Sequence, residues 1–214
     1  MSTKKTLKRF SLRYLFFRTD EINIRMLSKA SFCYTNAMLR EAIKNDNEGK
    51  EPIYQFNKKS KILIIGQAPG PKTEIPFRDK SGDRLKEWLG VTEQQFRTEF
   101  SILPMDFYYP GPAKTGDKPP RKDFADKWHP QFLSEMKELK LILLIGTYAQ
   151  KHYLKKAMKK NLTQTVKNYQ EYLPYYFPLV HPSPLNFRWL NRNPWFEKEV
   201  IPELQAMVRK ILEI

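Results

Sequence analysis

Two short, continuous apolar segments constrain the fold of this chain more than any other feature of its sequence. They cover residues 62–65 and 141–145, and each is followed directly by a glycine. Both are too short for a typical helix, and the first is β-branched at three of its four positions. Such runs are typical of strands that are buried on both faces inside a parallel sheet. The sequence therefore predicts a sheet covered by helices on both sides.

Strands and helices alternate along the rest of the chain. Residues 100–103 and 177–180 are expected to form two further strands. The pattern predicts a three-layer α/β/α sandwich with a central, mainly parallel sheet of about four strands. The predicted helices cover residues 83–89, a segment capped by Thr92, residues 124–139, residues 148–160 capped by Thr147, and a last helix from about Pro194 with a kink at Pro202.

The chain divides at about residue 60 in its composition. Residues 1–20 are basic and residues 21–43 have helical spacing, so residues 1–60 are predicted to form a basic arm and a helix that pack on the main domain. Residues 61–214 carry the alternating strands and helices. A chain of 214 residues is long enough for one such domain with a full core.

The charge of the chain predicts a polyanionic partner. Lysine and arginine number 38 against 23 acidic residues, which gives a formal net charge of +15. This excess is more than solubility requires and is typical of proteins that bind nucleic acid. A generally lysine-rich composition is the alternative. The cations are densest in residues 4–18 and 151–160.

The remaining composition argues against several classes of protein. Cys33 is the single cysteine, which excludes an internal disulfide and a four-cysteine metal or iron–sulfur site. His129, His152 and His181 lack metal-ligand spacing, and no apolar run is long enough to cross a bilayer. The N-terminus lacks the features of a signal peptide. We expect a cytoplasmic monomer without cofactor, metal or membrane partner.

Two turns follow predicted strands and carry the residues of greatest chemical interest. Residues 66–70 read Gly-Gln-Ala-Pro-Gly, and residues 181–186 read His-Pro-Ser-Pro-Leu-Asn. Ligands of open α/β sheets bind beyond the carboxyl ends of the strands, where both turns are expected. A glycine turn after a buried strand is common for structural reasons alone. The pair of turns, rather than either one, therefore indicates a functional site.

This pair resembles the two signature motifs of the uracil-DNA glycosylase superfamily. The first turn is similar to the Gly-Gln-Asp-Pro-Tyr-His and Gly-Glu-Ala-Pro-Gly versions of the family's first motif, and closest to the latter. The second is similar to its His-Pro-Ser-Pro-Leu motif. Residues 75–77 (Ile-Pro-Phe), followed by Ser81 and Gly82, resemble the segment that supplies a base-stacking phenylalanine in the thermophile-type branch. The resemblance extends from about residue 61 to the C-terminus.

The resemblance implies roles for the residues that would surround a base. His181 would donate a hydrogen bond to the O2 oxygen of the departing base. Gln67 and the backbone of Gly66 and Ala68 would line the same oxygen and hold a water, and Phe77 would stack on the base. From the residues alone, Gln67 is equally a residue that pins its loop, and Phe77 is equally a core aromatic.

The resemblance also implies contacts to the DNA outside the base. Ser183 and its neighbouring amides would hold a phosphate, and Leu185 would fill the gap that a flipped base leaves. Arg188 and Lys72 are candidate phosphate contacts, which set affinity without reading sequence.

The chain departs from the family pattern at three places. Ala68 stands where the best-studied branch has a water-positioning aspartate, and the four cysteines of the thermophile-type branch are absent. The asparagine that pairs with uracil in several branches falls near Pro104. Asp106 is close by and is expected to face the base. The proline-rich loop of residues 104–121 is therefore the predicted specificity element.

The sequence thus predicts a DNA glycosylase that flips out and excises uracil or another altered base, in repair or in defence against foreign DNA. One alternative is a DNA-binding module that keeps this fold without turnover, which the missing aspartate and asparagine favour. A third possibility is hydrolysis of a free nucleoside or nucleotide, which does not explain the charge.

Overall fold

The computed structural model describes residues 35–214. The basic arm of residues 1–20, most of the helix predicted over residues 21–43 and Cys33 lie outside the described residues.

A four-stranded parallel sheet forms the centre of the domain. Its strands are β1 (Ile62–Ile65), β2 (Phe100–Ile102), β3 (Leu141–Ile145) and β4 (Tyr176–Leu179). They lie in the order β2-β1-β3-β4, and every neighbouring pair is parallel. The predicted α/β fold and its four strands are confirmed.

Within the described part of the chain, eight α-helices surround this sheet. They are α1 (Asn36–Asn45), α2 (Lys80–Leu89), α3 (Glu93–Glu99), α4 (Phe124–Glu135), α5 (Gly146–Leu154), α6 (Leu162–Lys167), α7 (Phe187–Arg192) and α8 (Ile201–Leu212). Single turns of 3₁₀-helix cover Lys155–Ala157, Tyr169–Tyr172 and Pro184–Asn186, and a π-helical turn covers Phe196–Val200.

The two faces of the sheet belong to two separate apolar clusters. In β1, Ile62 and Ile64 face one cluster, whereas Leu63 and Ile65 face the other. Side chains alternate between faces along a strand, so a continuous apolar run requires a cover on each side. Helices α2, α3, α6 and α8 contribute buried residues to the first cluster, and α1, α4 and α5 contribute to the second. The three predicted layers are present.

Helix α1 joins part of the N-terminal region to the domain. Its residues Leu39 and Ile43 are buried in the same cluster as Leu63 and Ile65. The division of the chain at residue 60 stays a prediction.

The predicted bounds of several helices were wrong by a turn or more. Helix α2 begins at Lys80 because the Asp79 carboxylate caps the Gly82 amide, one turn before the predicted start. Helix α4 ends at Glu135 rather than at residue 139. The prediction for α3 was correct, since Thr92 and Gln95 form a capping box.

Helix α5 differs most from its prediction. It begins at Gly146, so Thr147 lies inside its first turn and makes no cap. It ends at Leu154, because Lys155 adopts a φ of 48° that a helix cannot continue through. Ala157 lies beyond this end, within the range predicted as helix, and is exposed. The last helix starts with a π-helical turn over Phe196–Val200, and Pro202 lies just after this turn, as the second residue of α8.

The loop of residues 104–121 is irregular, as its prolines predicted. It contains no helix and no named strand, and its single isolated bridge joins Pro112 and Asp117. No helix of residues 35–214 has the length and apolar character needed to cross a membrane.

Candidate active site

Both motif turns lie at the carboxyl edge of the sheet. Gly66 follows β1 directly, and His181 lies two residues beyond the end of β4. Strand β3 lies between these strands, so the turns approach each other across its end. The segment after β2 pairs with the first turn, because the Met105 amide donates to the Gly66 carbonyl (2.8 Å) and the Asp106 amide to the Gln67 carbonyl (3.1 Å).

The ring of Phe77 connects the two turns. A Cβ atom on Gly66 would lie 3.6 Å from Cζ of Phe77, so the ring packs directly against this glycine. The ring centroids of Phe77 and His181 are 6.4 Å apart, with 33° between the planes. The structure therefore brings Gly66, Phe77 and His181 together.

The imidazole of His181 is held as a neutral hydrogen-bond donor. Its Nδ1 accepts from the Ser183 amide (3.1 Å), so in the neutral ring the proton is on Nε2. The Asn186 side chain donates to the His181 carbonyl (2.8 Å). Burial lowers the pKa of His181, and the Asp79 carboxylate offsets part of that shift. A donor of this kind suits an oxygen that becomes negative during a reaction.

The residues after His181 form a tight helical turn that ends at the surface. The Ser183 hydroxyl accepts from the Leu185 amide (3.2 Å), and Arg84 donates to the Ser183 carbonyl (3.2 Å). Leu185 is 85% exposed, the largest exposed fraction among the exposed apolar side chains of the described region. Arg188 is exposed at the start of α7.

Gln67 and Ala68 complete the first turn. The Gln67 side chain donates to the Lys118 carbonyl (3.2 Å), which connects the glycine turn to the long loop of residues 104–121. Ala68 is partly buried and has no polar side-chain atom to hold a water. Lys72, a little further along, is exposed. The contact of Gln67 with a base or a water stays a prediction.

Asp106 closes the long loop on itself. Its side chain is 1% exposed, and its carboxylate accepts from Nε and Nη2 of Arg121 (both 2.7 Å) and from the amides of Arg121 and Tyr108. The Arg121 guanidinium also donates to Asn47 (2.5 Å). This clasp joins the two ends of the loop. The Asp106 carboxylate thus accepts four hydrogen bonds within the protein, which leaves it little capacity to bind a base. The base-reading role expected for Asp106 stays a prediction.

A cleft of about 570 Å³ lies beside this clasp. Its walls include Asp106, Tyr109 and Arg121 of the long loop, and residues 46–48 and Lys50 also line it. Gly66, Gln67, Phe77 and His181 are not among its lining residues. The cleft is therefore separate from the cluster around Phe77.

Sequence reasoning missed three residues that hold this edge of the sheet together. Gln150 is fully buried and donates to the carbonyls of Leu144 (3.2 Å) and Leu179 (2.8 Å), which joins β3 to β4 just before His181. Arg121 holds the long loop, and Arg97 holds the backbone around Phe77. No local pattern marks these residues, because each acts on a segment distant in sequence.

The other histidines have structural environments. His129 is buried, and its Nε2 and Nδ1 contact the Pro104 carbonyl (2.9 Å) and the Tyr153 hydroxyl (2.5 Å). Burial lowers the pKa of His129 to about 4. In the part of the chain that the structure describes, no group of three or more His, Cys, Asp or Glu side chains could hold a metal ion.

A comparison with known protein families gives one match that spans most of the domain. Residues 53–205 match the family model described as the Uracil DNA glycosylase superfamily. The matched segment is more than two thirds of the 214 residues and contains both motif turns, Phe77 and the long loop.

Proposed function

Because this chain belongs to the uracil DNA glycosylase superfamily, we propose that it is a monofunctional DNA glycosylase. It hydrolyses the N-glycosidic bond of uracil or another altered base in DNA. The observation that supports this most strongly is the neutral imidazole of His181 beside Phe77, whose ring packs on Gly66 of the first motif.

The reaction begins when the base leaves the stack. Extrusion of a nucleotide costs a few kcal/mol, which contacts to the rest of the DNA must offset. Leu185 fills the vacated gap, which fits its 85% exposure at the tip of its turn. The Ser183 region, Arg188 and Lys72 contact phosphates. These phosphate contacts set affinity and salt dependence but read no sequence.

The bond then breaks with the base leaving as an anion and the sugar becoming oxocarbenium-like. The Nε2–H of His181 donates to the O2 oxygen of the base, where negative charge develops. A donor of this type is worth about 3–4 kcal/mol in the transition state. Gln67 and the backbone of Gly66 and Ala68 line the same oxygen and hold the water, whose oxygen bonds to the sugar carbon while its proton passes to the departing base anion.

Phe77 and the long loop select the base. The ring of Phe77 stacks on the flipped base, a contact worth roughly 1–3 kcal/mol by analogy with single-strand binders. Residues 104–121 read its edge, and the Asp106 carboxylate contributes by holding this loop through Arg121. Pro104 has no side-chain amide to pair with uracil. The sequence of the first turn resembles the Gly-Glu-Ala-Pro-Gly branch, whose first motif also has alanine at the position of Ala68.

A DNA-binding module without turnover is the second candidate. The observations that favour it are Ala68, which supplies no carboxylate, and the engagement of the Asp106 carboxylate by Arg121. Such a protein would keep the fold and the basic surface.

An excision assay separates the two candidates. We expect abasic product from at least one oligonucleotide that contains uracil, hypoxanthine or a modified cytosine, tested as single strand and as duplex. His181→Ala should lower the single-turnover rate constant by about 100- to 1,000-fold, the range for loss of one oxyanion donor. His152→Ala, which replaces a half-buried histidine outside the motif turns, is the matched control and should leave the rate unchanged.

The DNA-binding module predicts a different result in this assay. If no substrate yields abasic product, and both the unchanged protein and His181→Ala bind DNA tightly with strong salt dependence, the excision proposal fails. The DNA-binding module then replaces it.

A further inference from the structure

The backbone of Phe77 has an uncommon conformation. Its φ is 55°, in the left-handed region that side chains larger than glycine rarely adopt. Such a conformation persists only where the surroundings hold it, and it is often found at functional sites. The contacts around residue 77 therefore determine where its ring points.

Arg97 holds the carbonyls on either side of this conformation. From α3, its guanidinium donates to the Pro76 carbonyl (2.8 Å) and to the Phe77 carbonyl (3.4 Å). The same group donates to the side chains of Glu93 (2.7 Å) and Gln55 (3.2 Å), which fix its orientation. Only 22% of the Arg97 side chain is exposed, so its bonds to these carbonyls are partly shielded from water.

Gly82 leaves room for the same carbonyl. A Cβ atom at this position would lie 1.7 Å from the Phe77 oxygen and 2.5 Å from its carbonyl carbon. The Gly82 amide is itself fixed by the Asp79 carboxylate (2.9 Å). The first turn of α2 thus packs directly on the backbone of residue 77, on which Arg97 also acts.

Together these contacts determine the position of the Phe77 ring. In this conformation the Phe77 ring packs on Gly66 and lies beside His181. A negative φ at residue 77 would redirect its side chain, because the Cα–Cβ bond turns with the backbone. The hydrogen bonds from Arg97 to this segment are to backbone carbonyls.

We propose that Arg97 is a positioning residue that keeps Phe77 in the left-handed conformation in which its ring stacks on the flipped base. This inference rests on the proposed glycosylase function for the role of the ring. It adds to that function a residue outside the motif turns that determines the geometry of base binding.

The first test follows the conformation and needs no activity. In Arg97→Met, which removes the donors but keeps an extended side chain, hydrogen exchange at the Arg78 and Gly82 amides should accelerate. The expected factor is about tenfold, as for loss of hydrogen bonds from a charged donor. Glu93→Gln is the matched control, since its amide oxygen still accepts from Arg97. Equal exchange in Arg97→Met and the unchanged protein would overturn the proposal.

The second test measures whether the effect acts through the ring. Phe77→Gly removes the ring and tolerates a positive φ. Arg97→Met should lower the single-turnover rate constant about tenfold when Phe77 is present, within the value of a base stack. In the Phe77→Gly background the same change should cost less than about twofold, the usual limit for independent sites. Equal losses in the two backgrounds would overturn the proposal.

Arg97→Lys is a second variant for the case that Arg97→Met folds poorly, which thermal unfolding will show. It retains one charged donor and should recover part of the lost rate. If the unchanged protein excises no base, the proposed function fails, whereas the exchange experiment still decides whether Arg97 holds residue 77.

Discussion

The Nδ1 atom of His181 accepts a hydrogen bond from the Ser183 amide, and this contact leaves the Nε2 proton as the donor. Protonation of the ring would place a second N–H against the Ser183 amide. Burial also disfavours the charged form, which is why the pKa of His181 is lowered. The neutral imidazole is therefore the form that the proposed reaction uses.

The pH dependence of excision tests this assignment. Because burial lowers the pKa of His181 below its ordinary value of 6.5, the neutral ring is the main form at pH 6.5 and above. We expect a level single-turnover rate constant between pH 8 and 7 and a decline only at lower pH. A decline already between pH 8 and 7 would contradict a neutral donor. Titration of the His181 ring by NMR measures the pKa independently.

His129 is expected to make the free energy of unfolding depend on pH. Its pKa is about 4 in the folded protein, against 6.5 when exposed, so the unfolded chain binds this proton more tightly. The stabilisation that comes from keeping the His129 ring neutral is complete above pH 6.5 and is lost as the pH falls to about 4. The loss amounts to about 3 kcal/mol of unfolding free energy. His152 and His181, whose pKa values are also lowered, act in the same direction.

Urea unfolding between pH 7 and 4 measures this loss. In His129→Gln, which still offers a donor to the Pro104 carbonyl but does not titrate, the unfolding free energy should depend less steeply on pH. An unchanged slope would show that His129 does not carry the effect.

Among the elements, we propose a role in DNA binding rather than in the core for the helical turn Pro184–Asn186. Its residues Pro184 and Leu185 are exposed, and hydrogen bonds to Ser183 and His181 hold the turn in place. A rigid turn with an apolar tip suits insertion into a duplex, where the side chain replaces a flipped base.

A comparison of strand types tests the role of Leu185. Leu185→Ala should lower the single-turnover rate constant on duplex substrate by about tenfold, since flipping from a stack costs a few kcal/mol. The rate on the same sequence as single strand should change little, because no stack needs filling. Met38→Ala, at an exposed apolar residue of α1, is the control. Equal losses on both strand types would contradict the wedge role.

In the whole molecule, the polarity of the sheet determines which exposed cations lie on the side of the motif turns. The parallel sheet has one edge where the motif turns lie and an opposite edge where the strands begin. Lys72 and Arg188 belong to segments that follow the motif turns, whereas Lys140 directly precedes β3. All three side chains are exposed. A DNA strand bound across the turns would therefore contact the first two and not the third.

Salt dependence tests this orientation. Each phosphate contact contributes about 0.9 to the slope of log K against log salt on duplex DNA. Lys72→Ala and Arg188→Ala should each reduce the slope by about one and weaken binding to all sequences alike. Lys140→Ala, which removes the same charge at the far edge, should leave the slope unchanged. A uniform effect of all three would indicate binding through net charge alone.

The local sequence was sufficient for the sheet and for the position of the motifs. The apolar runs of β1 and β3 can be buried only between two layers, so their pattern determines both the strands and their covers. Helix ends were less well predicted. The Asp79 cap and the left-handed Lys155 depend on local backbone conformation that periodicity does not report.

Side-chain period and strand polarity are local properties, so the amino-acid pattern was enough to predict that the turn at Gly66 and the turn at His181 would follow parallel strands. The groups that face one another at these turns were visible only once the elements had packed together. Asp106 is paired with Arg121, Gln67 with the Lys118 carbonyl, and Arg97 holds the backbone of Phe77. Hydrogen bonds between such distant residues depend on ångström-scale packing of whole elements, which no local pattern encodes.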